Sequence, residues 1–186
     1  MPHNVALMLP YCFTFSTRFG LPRPKPIKKS PHSPFYHGTP DGYDFFLNIG
    51  PLKYADPLYL QGTVPFWNEA LAHPNYDHFW QSRNLRPHLK NIRPATLTVG
   101  GWFDAENLFG ALEAYRSIER QSPDCANRLV MGPWAHGAWS SQPCDTFGDL
   151  SFHQRTGDYF QEHIEFPFFE FYLRDKGPSK IPEARV

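Results

Sequence analysis

Asp104 and His136 stand where proton chemistry could use them. Asp104 follows the run Ala95-Thr96-Leu97-Thr98-Val99-Gly100-Gly101, and His136 follows Arg128-Leu129-Val130-Met131-Gly132-Pro133. Each run is short, rich in β-branched or large aliphatic side chains and closed by glycine, as a buried strand ending at a sharp turn should be. An acid after one strand and a histidine after the next face each other across about one strand spacing, roughly 5 Å. That arrangement suits a carboxylate that orients an imidazole for proton transfer. Blander roles compete. Asp104 lies just ahead of a helical pattern, where aspartate is a preferred N-cap, and Glu106 in the first turn would complement the helix dipole. His136, next to Gly137 and flanked by Trp134 and Trp139, is either a loop residue or a proton carrier. The other histidines are scattered without the spacing of a metal-ligand set, so neither a metal site nor a cofactor is expected.

The elements around these residues follow from periodicity. Between the two strands, Leu108, Ala111, Leu112, Tyr115 and Ile118 recur at spacings of three and four. Glu113, Arg116, Glu119 and Arg120 take the wet side. Strand, helix, strand predicts a βαβ unit with parallel neighbours, and in such sheets functional groups gather beyond the carboxyl ends of the strands. A last helix is expected over about Asp158 to Leu173, burying Phe160, Ile164, Phe168 and Phe171, with a kink at Pro167. Upstream, Phe19 to Thr39 is dense in proline and lysine and reads as an extended connector. Tyr43 to Leu89 reads as irregular and aromatic, with short helices near Pro57–Leu60, Val64–Ala72 and Tyr76–Arg83. Arg83, Arg86, Lys90 and Arg93 suggest a basic stripe, but Pro87 interrupts any single helix through them, and a solvated face is the simpler reading.

Composition narrows the function classes. At 186 residues the chain fits one domain or a piece of a larger one. Lysine plus arginine equal aspartate plus glutamate at 18 each, so overall charge favours neither nucleic acid nor an anionic membrane. Seventeen phenylalanines, nine tyrosines and five tryptophans among twenty prolines suggest aromatic-lined clefts for a small molecule. Cys12, Cys125 and Cys144 form no C-x-x-C pair and leave the compartment open. The apolar start, Val5 to Leu9, is too short for a signal sequence core or a membrane span and reads as mature protein.

Two stretches, Thr98-Val99-Gly100-Gly101-Trp102-Phe103-Asp104-Ala105-Glu106 and Val130-Met131-Gly132-Pro133-Trp134-Ala135-His136-Gly137, closely resemble the α-amino-acid ester hydrolases. These belong to the cocaine-esterase and X-prolyl dipeptidyl-peptidase group of α/β-hydrolases. Leu9-Pro10-Tyr11, Gly38-Thr39-Pro40-Asp41-Gly42-Tyr43, Phe66-Trp67-Asn68-Glu69, Tyr76-Asp77-His78-Phe79-Trp80 and Phe166-Pro167-Phe168-Phe169 extend the likeness along the chain. The resemblance implies an α/β fold in two parts. Residues 1–92 would hold the connector and a helical cap, and 93–186 the C-terminal part of a hydrolase core. It implies that Asp104 and His136 are the acid and base of a Ser-His-Asp triad, and that Glu106, Asn107 and Trp134 serve substrate binding. Glu106 falls on a carboxylate position that holds an α-ammonium; Asn107 departs from the aspartate usual there. The expected partner is a small acyl substrate, and the complete family enzyme would be a homo-oligomer in the periplasm or secreted.

The nucleophile of that family lies in a G-x-S-Y-x-G turn, and no serine here has that context; Ser16, in Thr14-Phe15-Ser16-Thr17, lacks the glycines a strained elbow needs. The family's C-terminal jelly roll would begin about where Val186 stands. The expectation is therefore a segment of a serine hydrolase of α-amino acyl esters or amides, β-lactams among them, inactive alone. The rivals are a ligand-binding remnant without turnover and a partner-binding piece of the fold.

Overall fold

A computed structural model describes residues 9–26, 35–177 and 184–185, and these divide into two compact units, Met1–Arg83 and Asn84–Val186. In the first unit, helix α1 (Leu9–Phe19), helix α2 (Gly42–Ile49) and helix α3 (Pro65–Ala72) contribute to a core of Phe13, Phe45, Ile49, Ala55, Leu60, Val64 and Trp67, and the short helix α4 (His78–Gln81) stacks Phe79 on Phe66 of α3. Phe13 is completely buried and meets Phe35, Phe45, Phe46 and Trp67 with its ring edge-on, the geometry that aromatic quadrupoles favour.

One of these helices departs from the sequence reading and another falls where that reading named no element. Gly42–Ile49, expected as irregular, is helical: Asp41 caps it by accepting the Tyr43 amide at 2.8 Å, and Phe45 and Ile49, four apart, turn into the core. Leu9–Phe19 is helical as well. The expected helices at Pro57–Leu60 and Val64–Ala72 are present as a wide π turn at Asp56–Leu60 and as α3, whereas Tyr76–Arg83 contracts to α4. Of the proposed connector, residues 27–34 lie outside the described residues, and 20–26 and 35–39 are neither helix nor strand. Arg83 lies over the Phe79 ring at 3.6 Å and near Glu69 at 3.9 Å, while Arg86 faces Glu113 at 3.7 Å. Two members of the basic stripe are thus partnered by different groups.

The second unit is built on strand β1 (Thr96–Gly101), helix α5 (Leu108–Gln121) and strand β2 (Asn127–Gly132). The strands pair in parallel from Thr96 opposite Asn127 to Gly101 opposite Gly132. This is the expected βαβ unit, and strand β5 (Ala184–Arg185) pairs in parallel with the far side of β2, giving the order β1-β2-β5. Asn127, 2 % exposed, fastens the start of β2 to α5 by donating to the Tyr115 carbonyl at 3.1 Å and the Glu119 carboxylate at 2.9 Å. The anticipated apolar stripe of α5 is half-buried along most of its length and fully buried at Ile118.

Beyond β2 lie a small hairpin, β3 (Thr146–Phe147) with β4 (Leu150–Ser151), and the last helical segment. That segment runs as α6 (Thr156–Phe160), one π turn (Gln161–Glu165) and α7 (Phe166–Arg174). The wide turn has a local cause: Pro167 has no amide hydrogen and its ring crowds the carbonyl four residues back, so the Phe166 amide reaches five residues back to Gln161. The irregularity expected at Pro167 therefore takes the form of a π turn just before it. Phe160, Ile164 and Phe168 are buried as anticipated, whereas Phe171 is half-buried. Phe160 and Ile164 join Val130, Trp134, Ala138 and Cys144 in one core behind the sheet. All three cysteines are free thiols, and burial, the largest influence on it, pushes the Cys144 thiol above its ordinary range. No described helix is long and apolar enough to cross a membrane.

Candidate active site

The chains leaving β1 and β2 are bound to each other before they reach any reactive side chain. Trp102 donates its amide to the Gly132 carbonyl at 2.8 Å, and Phe103 donates to the Trp134 carbonyl at 3.1 Å. This close approach explains the glycines. A side-chain carbon on Gly101 would collide with the Trp134 carbonyl, and one on Gly132 would enter the Trp134 ring. Gly100 and Gly101 belong to β1 itself, so they provide room for a neighbouring chain; the sharp turn expected there begins one step later, where the Asp104 amide meets the Gly101 carbonyl at 3.2 Å.

This turn buries Asp104, which is 5 % exposed, and points its carboxylate at three donors. Oδ1 accepts the amides of Glu106 at 2.8 Å and Asn107 at 2.9 Å, and Oδ2 meets His136 Nδ1 at 3.0 Å. Burial is the largest single influence on this acid and opposes its charge. The Asn107 amide, the His136 imidazole and the Glu106 amide together outweigh it and hold the carboxyl below its ordinary value. The two readings of Asp104 therefore coexist: one oxygen gathers the free amides ahead of α5, and the other faces the imidazole. Asn107 occupies the N-cap position, but its side chain makes no capping bond.

His136 leaves β2 through Trp134 and Ala135, and Gly137 after it takes φ = 70°, a left-handed conformation that glycine adopts without penalty. The imidazole is half-exposed, with 51 % of its side chain accessible, against 2 % for Asp104. With Nδ1–H donated to Asp104, Nε2 of the neutral ring carries the lone pair, the state a general base requires. Glu106 also reaches the ring: its Oε2 lies 3.5 Å from Nε2. Its place in the first turn gave Glu106 a helix-dipole role and the resemblance implied an ammonium role; neither found this contact, which depends on a rotamer rather than a periodicity.

Trp134 lies in the core, 3 % exposed, with Trp139 and Phe160 against its ring and its indole N–H donated to Thr156 at 2.9 Å. Phe103 and Phe147, both 38 % exposed, stack nearly parallel with centroids 4.2 Å apart, so the β3–β4 hairpin covers the residue before Asp104. Among the described residues no group of three histidine, cysteine, aspartate or glutamate side chains could hold a metal ion. Ser16 is buried in α1, Ser117 is buried in α5, and Ser122 binds the chain at Leu89 and Ile92. None of these three stands on a strand-to-helix turn.

The family model for X-Pro dipeptidyl-peptidase (S15 family) matches residues 51–138, a span that includes Asp104 and His136. Cocaine esterase from Rhodococcus sp. (strain MB1 Bresler) is 30% identical over 88 residues, which cover 46% of this chain and 15% of that enzyme. Among solved structures, an aminopeptidase from the marine sediment archaeon Thaumarchaeota archaeon matches with a TM-score of 0.74 and 30% identity. An α-amino acid ester hydrolase matches with 0.73 and 29%. Each of these two matches covers 82% of this chain and 25% of the other, so the chain spans about a quarter of the length of those enzymes. Their fold accounts for the parallel strands and flanking helices seen here as part of an α/β-hydrolase core.

Proposed function

For a chain of the cocaine-esterase and X-Pro dipeptidyl-peptidase group of hydrolases, we propose that Asp104 and His136 are the acid and base of a serine-dependent hydrolase of α-amino acyl esters or amides. The observation that carries this reading is the 3.0 Å contact between Asp104 Oδ2 and His136 Nδ1 across two adjacent parallel strand ends. A serine hydroxyl attacks the acyl carbon and gives its proton to His136 Nε2. The imidazolium, steadied by Asp104, returns that proton to the departing alkoxide or amine. Water then attacks the acyl-serine, with His136 again taking the proton and handing it back to the serine as the acid product leaves. The nucleophile in this reading is a serine on a G-x-S-Y-x-G elbow, which the 186 residues do not include. The chain alone should accordingly show neither turnover of amino-acid esters nor stoichiometric labelling by a serine-directed fluorophosphonate.

Glu106 and Asn107 serve the substrate's α-ammonium in this proposal. An ammonium stripped of water needs an opposing charge, and Glu106 supplies one, while the neutral Asn107 amide supplies only an acceptor. Trp134 acts from behind, filling the space beside Gly132 and holding the strand ends at their spacing. Joined to the serine-bearing part of such a core, Asn107→Asp should raise the preference for an α-amino ester over its des-amino analogue by about 1 kcal/mol, or several-fold in the kcat/KM ratio. Glu106→Gln should lower that ratio with little effect on the des-amino ester. If neither variant moves the ratio, ammonium recognition by these residues is wrong. The alternative, a non-catalytic ligand-binding role, predicts that supplying the serine-bearing part restores no turnover.

A further inference from the structure

Three arginines share one carboxylate on the wet side of α5. Glu113 accepts Nη1 of Arg116 on Oε1 at 2.9 Å, while Nη1 of Arg86 and Nη2 of Arg120 stand 3.7 Å and 3.8 Å from Oε2. Among the described residues, the ion pairs of all three arginines run to Glu113, so two positive charges are left unmatched. Arg86 and Arg120 attract Glu113 from beyond hydrogen-bonding distance, and N–H groups that it does not take can serve a second acceptor. The cluster is also built before any ligand arrives. Arg86 belongs to the short turn Arg86–His88, which Gln121 of α5 fastens by donating Nε2 to the Arg86 carbonyl at 2.9 Å. The Arg86 side chain donates Nε to Asn84 Oδ1 at 3.1 Å, and its guanidinium lies 5.3 Å from the centre of the Phe109 ring. All three arginine side chains are at least 40 % exposed, against 17 % for Glu113, so the guanidinium groups face solvent around a mostly covered acid.

We propose that Arg86, Arg116 and Arg120 form a binding site for a phosphate group, carried by free phosphate or by a phosphate monoester. Guanidinium groups are planar forks of donors that match phosphate oxygens in pairs, and a dianion matches the two unmatched charges. Glu113 holds the three arginines together against their mutual repulsion. Phe109, exposed beside Arg86, offers an apolar face to the organic group of an ester. The site uses none of Asp104, Glu106 and His136 and needs no serine nucleophile. Periodicity alone does not show it, because Arg116 and Arg120 read as the solvated side of α5 and Arg86 as part of a separate basic stripe.

Inorganic phosphate and phenyl phosphate, titrated separately into this chain at about pH 7.5 with ionic strength held constant by sodium chloride, test the site. In ¹⁵N spectra of the backbone, the amide signals of Arg86, Glu113, Arg116 and Arg120 should move and saturate. The signal of Arg174, which pairs with Glu170 on α7 at 2.8 Å, should stay in place. Arg86→Gln and Arg120→Gln should each raise Kd by about two- to fivefold, the scale of one exposed charge pair. Arg120 is the most exposed of the three and stands 3.8 Å from Glu113, so its replacement tests the site even if Arg86→Gln loosens the turn it belongs to. Saturation by both ligands would support recognition of the phosphate group itself, and saturation by phenyl phosphate alone would support an ester whose organic group lies on Phe109. The inference would be overturned by saturation with neither, by equal movements on adding sodium chloride alone, or by undiminished binding in Arg120→Gln.

Discussion

Without its charge, Asp104 would present a neutral amide to two backbone N–H groups and an imidazole. Asp104→Asn in this chain should therefore lower stability by about 1–3 kcal/mol, the cost of weakening buried hydrogen bonds to an ionised acceptor, as read from urea unfolding near neutral pH. The acid dependence has a definite sign. Asp104 is held below its ordinary value in the folded chain, so its contribution is present above the unfolded value of roughly 3.9 and disappears as pH falls through the lower folded value. Glu113, lowered chiefly by its bond to Arg116, and Asp77, lowered chiefly by its bond to His73, shift the same way. The comparison of interest is thus between variants: unfolding measured from about pH 6 to about pH 3 should show a smaller loss in Asp104→Asn than in the unaltered chain. Equal losses would mean that the imidazole and amides do not favour the carboxylate. Asp104 and His136 were legible because strand ends place them in reach of each other. The contact of Glu106 with Nε2 was not, since it depends on how a flexible side chain settles at a helix start.

The strand ends owe their spacing to glycine, and two adjacent glycines should respond differently to substitution. A methyl on Gly101 meets the carbonyl of Trp134, which is fixed by its bond from Phe103; a methyl on Gly100 meets Ala111 and the flexible end of Met131 at 2.9 Å. Gly101→Ala should cost at least the 1–3 kcal/mol typical of overpacking and should disturb the His136 ring signals. Gly100→Ala should cost less and leave those signals in place. Thermal melting and ¹⁵N spectra of the histidine ring nitrogens decide between them, and equal effects would contradict the close-approach explanation. At this scale the sequence was informative where periodicity was strong: β1, α5, β2 and the last helical segment stand near their expected ranges. It was less so for α2, whose eight residues carry two phenylalanines in succession and whose helix is decided by the Asp41 cap and the shared aromatic core.

Across the whole molecule, apolar surface is extensive. Trp102, Phe103, Phe109 and Phe147 are each at least 38 % exposed on the second unit, as are Phe166 and Phe169 on its last helix. A chain with this surface should bind an environment-sensitive hydrophobic dye while still folded, and dye fluorescence no higher than that of a compact control would contradict the described exposures. The division into Met1–Arg83 and Asn84–Val186 could not be read from the sequence to the residue, because the intervening turns are polar and irregular on both sides of the boundary. The α/β architecture was legible, because two β-branched runs separated by an amphipathic helix allow few other arrangements. The central claim is that Asp104 sets the tautomer and orientation of a catalytic His136, and the most direct measurement is the turnover of an α-amino ester by Asp104→Asn after the serine-bearing part of the core has been joined to this chain. The account predicts a fall of about 10⁴-fold with the fold retained, as expected when an imidazole is left in the wrong tautomer. Near-normal turnover in Asp104→Asn would contradict it and leave Asp104 as the residue that gathers the amides ahead of α5.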